Sequence, residues 1–142
     1  MDVSLLLKYS KDVRVLYVED DDNLRESTAS LFENFFLSVT TAIDGENGLE
    51  LYKQSANTDE AFDLIITDID MPKLNGIDMS KEILKDKPLM DVIFITAHDE
   101  KKYSQDADEL GIKNLITKPI NFDKLCNSIY EVCKTVVEKK KA

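Results

Sequence analysis

A chain of 142 residues, 43% hydrophobic and 32% charged, is long enough for one domain with a proper core and too apolar to be disordered. Its formal net charge of -10 opposes direct nucleic-acid binding, because phosphate contacts need Lys and Arg. No apolar run approaches the roughly 20 residues of a membrane span, and Leu5-Leu6-Leu7 is too short for a signal-peptide core; no membrane partner and a cytoplasmic location are expected.

Residues 1–12 read as an N-terminal extension with room for an extra helical turn. Val13 to Val18 is apolar and β-branched, a first strand, and it runs into Glu19-Asp20-Asp21. A helix then starts near Asp22 or Asn23, both good N-caps, with Leu24, Thr28, Leu31, Phe32 and Phe35 on its inner face. Ser38 to Ile43 is predicted as the second strand, with Asp44-Gly45 as its exit turn. A second helix through Leu49, Leu51 and Tyr52 ends in the polar stretch from Ser55 to Glu60.

Leu64 to Thr67 is a third strand, apolar on both faces and so buried on both, and it delivers Asp68. The loop from Met71 to Gly76 leads to a helix from about Ile77 to Leu84. Pro88 marks the next connection, and Val92 to Ile95 forms a fourth strand ending at Thr96-Ala97. A charged helix over about Lys101 to Leu110 stops at Gly111. Leu115 to Thr117 is the fifth strand and runs into Lys118-Pro119. The last helix is amphipathic, carrying Phe122, Leu125, Cys126, Ile129, Val132, Cys133 and Val136. Residues 138–142 are a tail, either a frayed helix end or the start of a linker. Two helical turns separate Cys126 from Cys133, a rise of roughly 10.5 Å that a disulfide does not span, so both are expected as buried thiols.

Five strand–helix repeats predict an α/β fold over residues 13–137, a doubly wound five-stranded parallel sheet with right-handed crossovers and helices on both faces. In the flavodoxin-like strand order 2-1-3-4-5, strands one and three meet at the switch point, outside whose carboxyl ends ligands bind. Glu19, Asp20 and Asp68 then converge. Three close carboxylates repel one another and raise at least one pKa unless a cation neutralises them. A small set of oxygen ligands suits Mg²⁺, which keeps several waters and binds phosphate oxygens. Asp68 is the candidate nucleophile, able to attack phosphorus and form an acyl phosphate. Lys118 and the hydroxyl of Thr96 leave neighbouring strands at the same edge and can offset charge on a transferring phosphoryl group.

The stretches VLYVEDDDNLR, LIITDIDMPKLNG, VIFITAH and NLITKPI follow one another in the order and spacing of the receiver domains of two-component response regulators. From about Val13 to Val137 the chain resembles that family. The resemblance implies transfer of a phosphoryl group from a sensor histidine kinase, or a phosphotransfer protein, to Asp68. It implies a signalling module rather than an enzyme, one that catalyses only its own phosphorylation and dephosphorylation and switches a surface read by an output protein or domain. It also implies Mg²⁺ bound by Asp20, Asp68 and the backbone carbonyl of Asp70, and by Glu19 through water. Thr96 and Lys118 take the family's hydroxyl and ammonium roles. Pro72 and Gly76 match the loop after the acceptor, where Gly76 is expected to supply an unusual backbone angle. Pairing of two copies through the fourth and fifth of these helices is common in the family and open to this chain.

One departure stands out. The position three residues before the lysine usually holds an aromatic switch residue and here holds Leu115, which favours a segment of a longer regulator over a free-standing chemotaxis-type protein. Tyr103, on the following helix, reads as surface packing. Asp70 and His98 each lie two residues beyond a site residue, where they can tune the phosphoryl lifetime; the plain alternative is that both are solvated loop residues. Asp68-Ile69-Asp70 also matches the DxD of haloacid dehalogenase-type phosphatases, but that family places its acidic metal pair late, and the chain lacks room for a substrate cap. A nucleotide- or flavin-binding module lacks its Gly-rich loop after strand one. A degenerate receiver that signals without phosphorylation is the remaining alternative.

Overall fold

The computed structural model describes residues 2–98 and 100–141, the side chain of Glu100 excepted. Strands β1 (Arg14–Val18), β2 (Ser38–Ala42), β3 (Leu64–Asp68), β4 (Asp91–Thr96) and β5 (Asn114–Thr117) pair in parallel in the order β2-β1-β3-β4-β5. All five residues of β3 are buried, as an apolar run at the centre of a covered sheet requires. The predicted α/β class and strand order are those observed.

Six helices cover the two faces: α1 (Val3–Ser10), α2 (Asp22–Phe32), α3 (Gly45–Ser55), α4 (Gly76–Asp86), α5 (Glu100–Glu109) and α6 (Phe122–Lys141). Side chains alternate across each strand. Val15, Tyr17, Leu64, Ile66, Ile93, Ile95 and Ile116 therefore join α1, α2 and α6 in one core layer. Leu16, Val18, Ile65 and Phe94 join α3, α4 and α5 in the other. Asp21, Asp44 and Asn75 cap α2, α3 and α4 by accepting from Leu24, Asn47 and Asp78 N–H groups.

Both chain ends are more ordered than their composition suggests. The segment ahead of β1 forms an eight-residue helix rather than a single turn. Leu6 is fully buried, and the Ser10 hydroxyl donates to the Phe35 carbonyl at 2.7 Å. Tyr9 meets Tyr130 of α6 edge-on, with ring centroids 5.6 Å apart. At the other end α6 continues helically to Lys141, where Lys139 pairs with Asp91 at 3.0 Å and Lys140 with Asp63 at 3.1 Å. Asp44-Gly45, expected as a strand exit, is already the cap and first residue of α3.

Gly111 follows α5 with φ +75, the left-handed stop expected there. Cys126 and Cys133 are free and buried, and burial pushes the Cys133 thiol up to about 12. Among the described residues no helix is long and apolar enough to cross a membrane.

Candidate functional site

The register of the sheet sets the carboxyl ends of β1, β3, β4 and β5 nearly level: Val18 pairs with Thr67, Asp68 with Ile95, and Thr96 with Thr117. Residues leaving these ends share one edge. Glu19 is 1% exposed, and its N–H donates to the Ala42 carbonyl at 3.1 Å, so β2 holds the backbone in place. Its own carbonyl accepts from the Arg25 guanidinium of α2 at 2.9 Å. Asp20, one residue on, is exposed at the rim.

Oxygens of Glu19, Asp20 and Asp68 all lie within 4.8 Å of one another, although almost fifty residues separate the first pair from the third. One ammonium compensates the two buried carboxylates. Lys118 Nζ donates to Glu19 Oε1 at 2.8 Å and to Asp68 Oδ2 at 3.0 Å. Burial works against the charge on Lys118, but the hydrogen bonds and charges of Glu19 and Asp68 outweigh it and raise its pKa. Among the described residues Asp20 forms no such ion pair. Partial burial, together with the adjacent Glu19, raises its carboxyl above the ordinary value of 3.8. The Lys118 charge offsets this only in part, and a cation at this spot would supply the remaining counter-charge.

Asp68 itself is tightly held. Asp68 is 5% exposed, and its Oδ1 accepts from the N–H of Ile69 at 2.8 Å. Thr96 is fully buried at the end of β4, where its Oγ1 accepts from the His98 N–H at 3.2 Å. Its carbonyl accepts from the Lys118 N–H at 2.7 Å, which ties the lysine's backbone to the threonine's strand. Glu19, Asp20, Asp68 and Lys118 are thus brought into one cluster, and Thr96 borders it from the next strand.

Two expectations need correction. Gly76 does not supply an unusual backbone angle; the positive φ of this loop belongs to Lys73, at 70°. What Gly76 provides is room, since a Cβ there would sit 2.1 Å from the Asp68 carbonyl oxygen, and its N–H donates to the Ile69 carbonyl at 2.8 Å. Nor is Tyr103 mere surface packing. Its hydroxyl donates to Asp70 Oδ1, while His98 Nε2 lies 3.2 Å from Asp70 Oδ2. The Asp70 side chain therefore faces α5, and only its backbone remains for the ligand role expected of it. Nothing in the sequence signalled this contact beyond an aromatic residue one turn into a charged helix. Leu115 is half-buried and packs in the same layer as Tyr103 and Phe94.

A family profile described as the response regulator receiver domain matches residues 15–130. The N-terminal domain of an uncharacterized protein from Wolinella succinogenes has a similar structure, with a TM-score of 0.78 and 36% identity, covering 89% of this chain and 98% of that one. Equally similar in fold, at a TM-score of 0.78 and 26% identity over 89% of this chain and 97% of that one, is a structure from Borrelia burgdorferi, a CheX-CheY-BeF3-Mg²⁺ complex. The two-component response regulator ARR10 of Arabidopsis thaliana is 29% identical over 126 residues, 89% of this chain. The chain spans about a fifth of that regulator's length, 22%. With the sheet order, the acidic cluster and its lysine already in place, these likenesses converge: the chain belongs to the response regulator receiver domain family.

Proposed function

We propose that this receiver accepts a phosphoryl group on Asp68 from the phosphohistidine of a sensor kinase or phosphotransfer protein. An Asp68 carboxylate oxygen forms a bond to phosphorus as the P–N bond breaks, and the imidazole nitrogen leaves with the electron pair. The carrying observation is Lys118, whose ammonium lies within hydrogen-bond distance of both Asp68 and Glu19 at the carboxyl edge of the sheet. It neutralises the nucleophile's surroundings before transfer and stands beside the new negative charge after it. The Thr96 hydroxyl, now accepting from a backbone N–H, keeps its own proton for donation to a phosphoryl oxygen.

The oxygen-only donor set of Glu19, Asp20 and Asp68 fits Mg²⁺. The carboxylates of Asp20 and Asp68, the backbone carbonyl of Asp70 and, through water, Glu19 would hold it, and its charge would offset that of the transferring group. The Mg²⁺ named with the Borrelia burgdorferi complex supports this reading. The output is a binding surface altered by phosphorylation.

Intact mass after incubation with Mg²⁺ and acetyl phosphate tests the reading. One phosphoryl adduct is expected, lost with chelator and absent from Asp68→Asn. No adduct, under conditions that label another receiver, would replace it with a receiver that signals by binding alone.

A further inference from the structure

The Asp70 carboxylate is anchored from two segments at once. Tyr103 of α5 donates to one oxygen, and His98 of the β4–α5 loop lies against the other at 3.2 Å. The His98 and Tyr103 rings meet edge-on with centroids 6.0 Å apart. Lys102 Nζ stands 5.1 Å from the Tyr103 ring centroid and 3.4 Å from His98 Nε2. Partial burial and the Asp70 bond push the Tyr103 phenol up to about 12, so it remains a donor at working pH. Asp70 is two residues beyond the acceptor, and an unanchored carboxylate there is free to adopt rotamers that approach it.

Resting on the receiver reading above, we propose that Tyr103 is a positioning residue. Its hydroxyl draws the Asp70 charge out of the acceptor site and onto α5, so that an incoming phosphoryl group meets one negative charge fewer. The same bond ties α5 to the loop that follows β3. Tyr103 and Leu115 pack against one core layer. Where β5 presents a leucine, the ring that touches the acceptor's loop comes from α5 instead.

The test is single-turnover phosphorylation by acetyl phosphate with Mg²⁺, followed by intact mass. In this step the Asp68 oxygen bonds to phosphorus, the P–O bond to the acetyl group breaks, and acetate leaves with the electron pair. Wild type, Tyr103→Phe, Asp70→Asn and the double variant Tyr103→Phe with Asp70→Asn are compared at low and high salt. Phenylalanine keeps the ring and deletes only the hydroxyl. Tyr103→Phe is expected to react about threefold more slowly at low salt, a repulsion between charges several ångströms apart in water. Screening should narrow the gap at high salt. Asp70→Asn should restore most of the lost rate in the Tyr103→Phe background and change the rate little when made alone, a coupling that a merely structural tyrosine would not give. Amide exchange in α5 should be faster in Tyr103→Phe whether or not the protein is phosphorylated. An unchanged rate in Tyr103→Phe, or a loss that Asp70→Asn does not relieve, overturns the assignment of Tyr103 alone. A wild type that takes no phosphoryl group overturns the phosphoacceptor reading of Asp68 and, with it, the electrostatic role given to Tyr103.

Discussion

Replacing Lys118 with methionine tests the electrostatics of the site at its centre. The ammonium lies 2.8 Å from Glu19 Oε1 and 3.0 Å from Asp68 Oδ2, and the side chains of those two acids are only 2% and 7% exposed. Two unit charges about 4 Å apart interact by roughly 4 kcal/mol at an effective dielectric near 20. Deleting one partner of a buried pair costs about 3–5 kcal/mol, because the other charge stays behind uncompensated. Lys118 is itself 20% exposed and Asp20 opens the rim to water, so solvent screening discounts the expected loss to about 2–4 kcal/mol. The raised pKa of Lys118 means this contribution is complete below the ordinary lysine value of 10.5 and is lost only as pH climbs through the higher folded value. Urea unfolding of wild type and Lys118→Met at pH 7, in chelator and again in saturating Mg²⁺, measures it. The divalent ion takes over the missing compensation, so the deficit should shrink to under about 1 kcal/mol. Adding Glu19→Gln should recover part of the loss in chelator. A variant as stable as wild type in chelator, or a deficit that Mg²⁺ leaves untouched, would refute the reasoning.

Four further outcomes follow from the geometry. Asp20 has a raised carboxyl pKa, so without Mg²⁺ the stability linked to it is full below the ordinary value of 3.8 and is lost as pH rises through the folded value; Asp20→Asn should raise the neutral-pH melting temperature in chelator by about 2–5 °C, remove that pH step and weaken Mg²⁺ binding, all readable by calorimetry. Gly76→Ala forces a Cβ against the Asp68 carbonyl oxygen and should cost about 3 kcal/mol with loss of phosphorylation. Gly111→Ala, where φ is +75 but the space is open, should cost about 1 kcal/mol and leave phosphorylation alone. Cys126 and Cys133 are buried, with burial raising both thiols, and should react with an aromatic disulfide reagent only at the rate of unfolding; fast labelling under native conditions would contradict that packing.

The sheet was legible because its signal is local. Leu64 to Thr67 is apolar without interruption, and a central parallel strand is the element that needs such a run. The acidic triad was legible for a related reason: once the strand order is chosen, Glu19, Asp20 and Asp68 have no freedom to be elsewhere. Pairings across a crossover are another matter. Tyr103 and Asp70 are 33 residues apart, on a helix and a loop whose meeting depends on how α5 is rotated over the sheet. Periodicity names the face of a helix, not the partner of a side chain. Gly76 shows a further limit, since a glycine kept for φ and a glycine kept for space look alike in sequence. The helical start of the chain was underestimated because Leu5-Leu6-Leu7 has no amphipathic period, and only Leu6 of the three is buried.

The docking of α1 carries a consequence for the order in which the molecule assembles. α1 precedes β1, yet the partners that hold it are distant in sequence: the Phe35 carbonyl accepts from the Ser10 hydroxyl, and Tyr130 of α6 meets Tyr9 edge-on. Lys140 even donates to the carbonyl of Asp12, 128 residues earlier, at 3.3 Å. Contacts of that span return free energy only after the largest loops have closed. α1 is therefore expected to dock late in folding, so that Leu6→Ala, at a fully buried position, should speed unfolding more than it slows refolding in a chevron measurement.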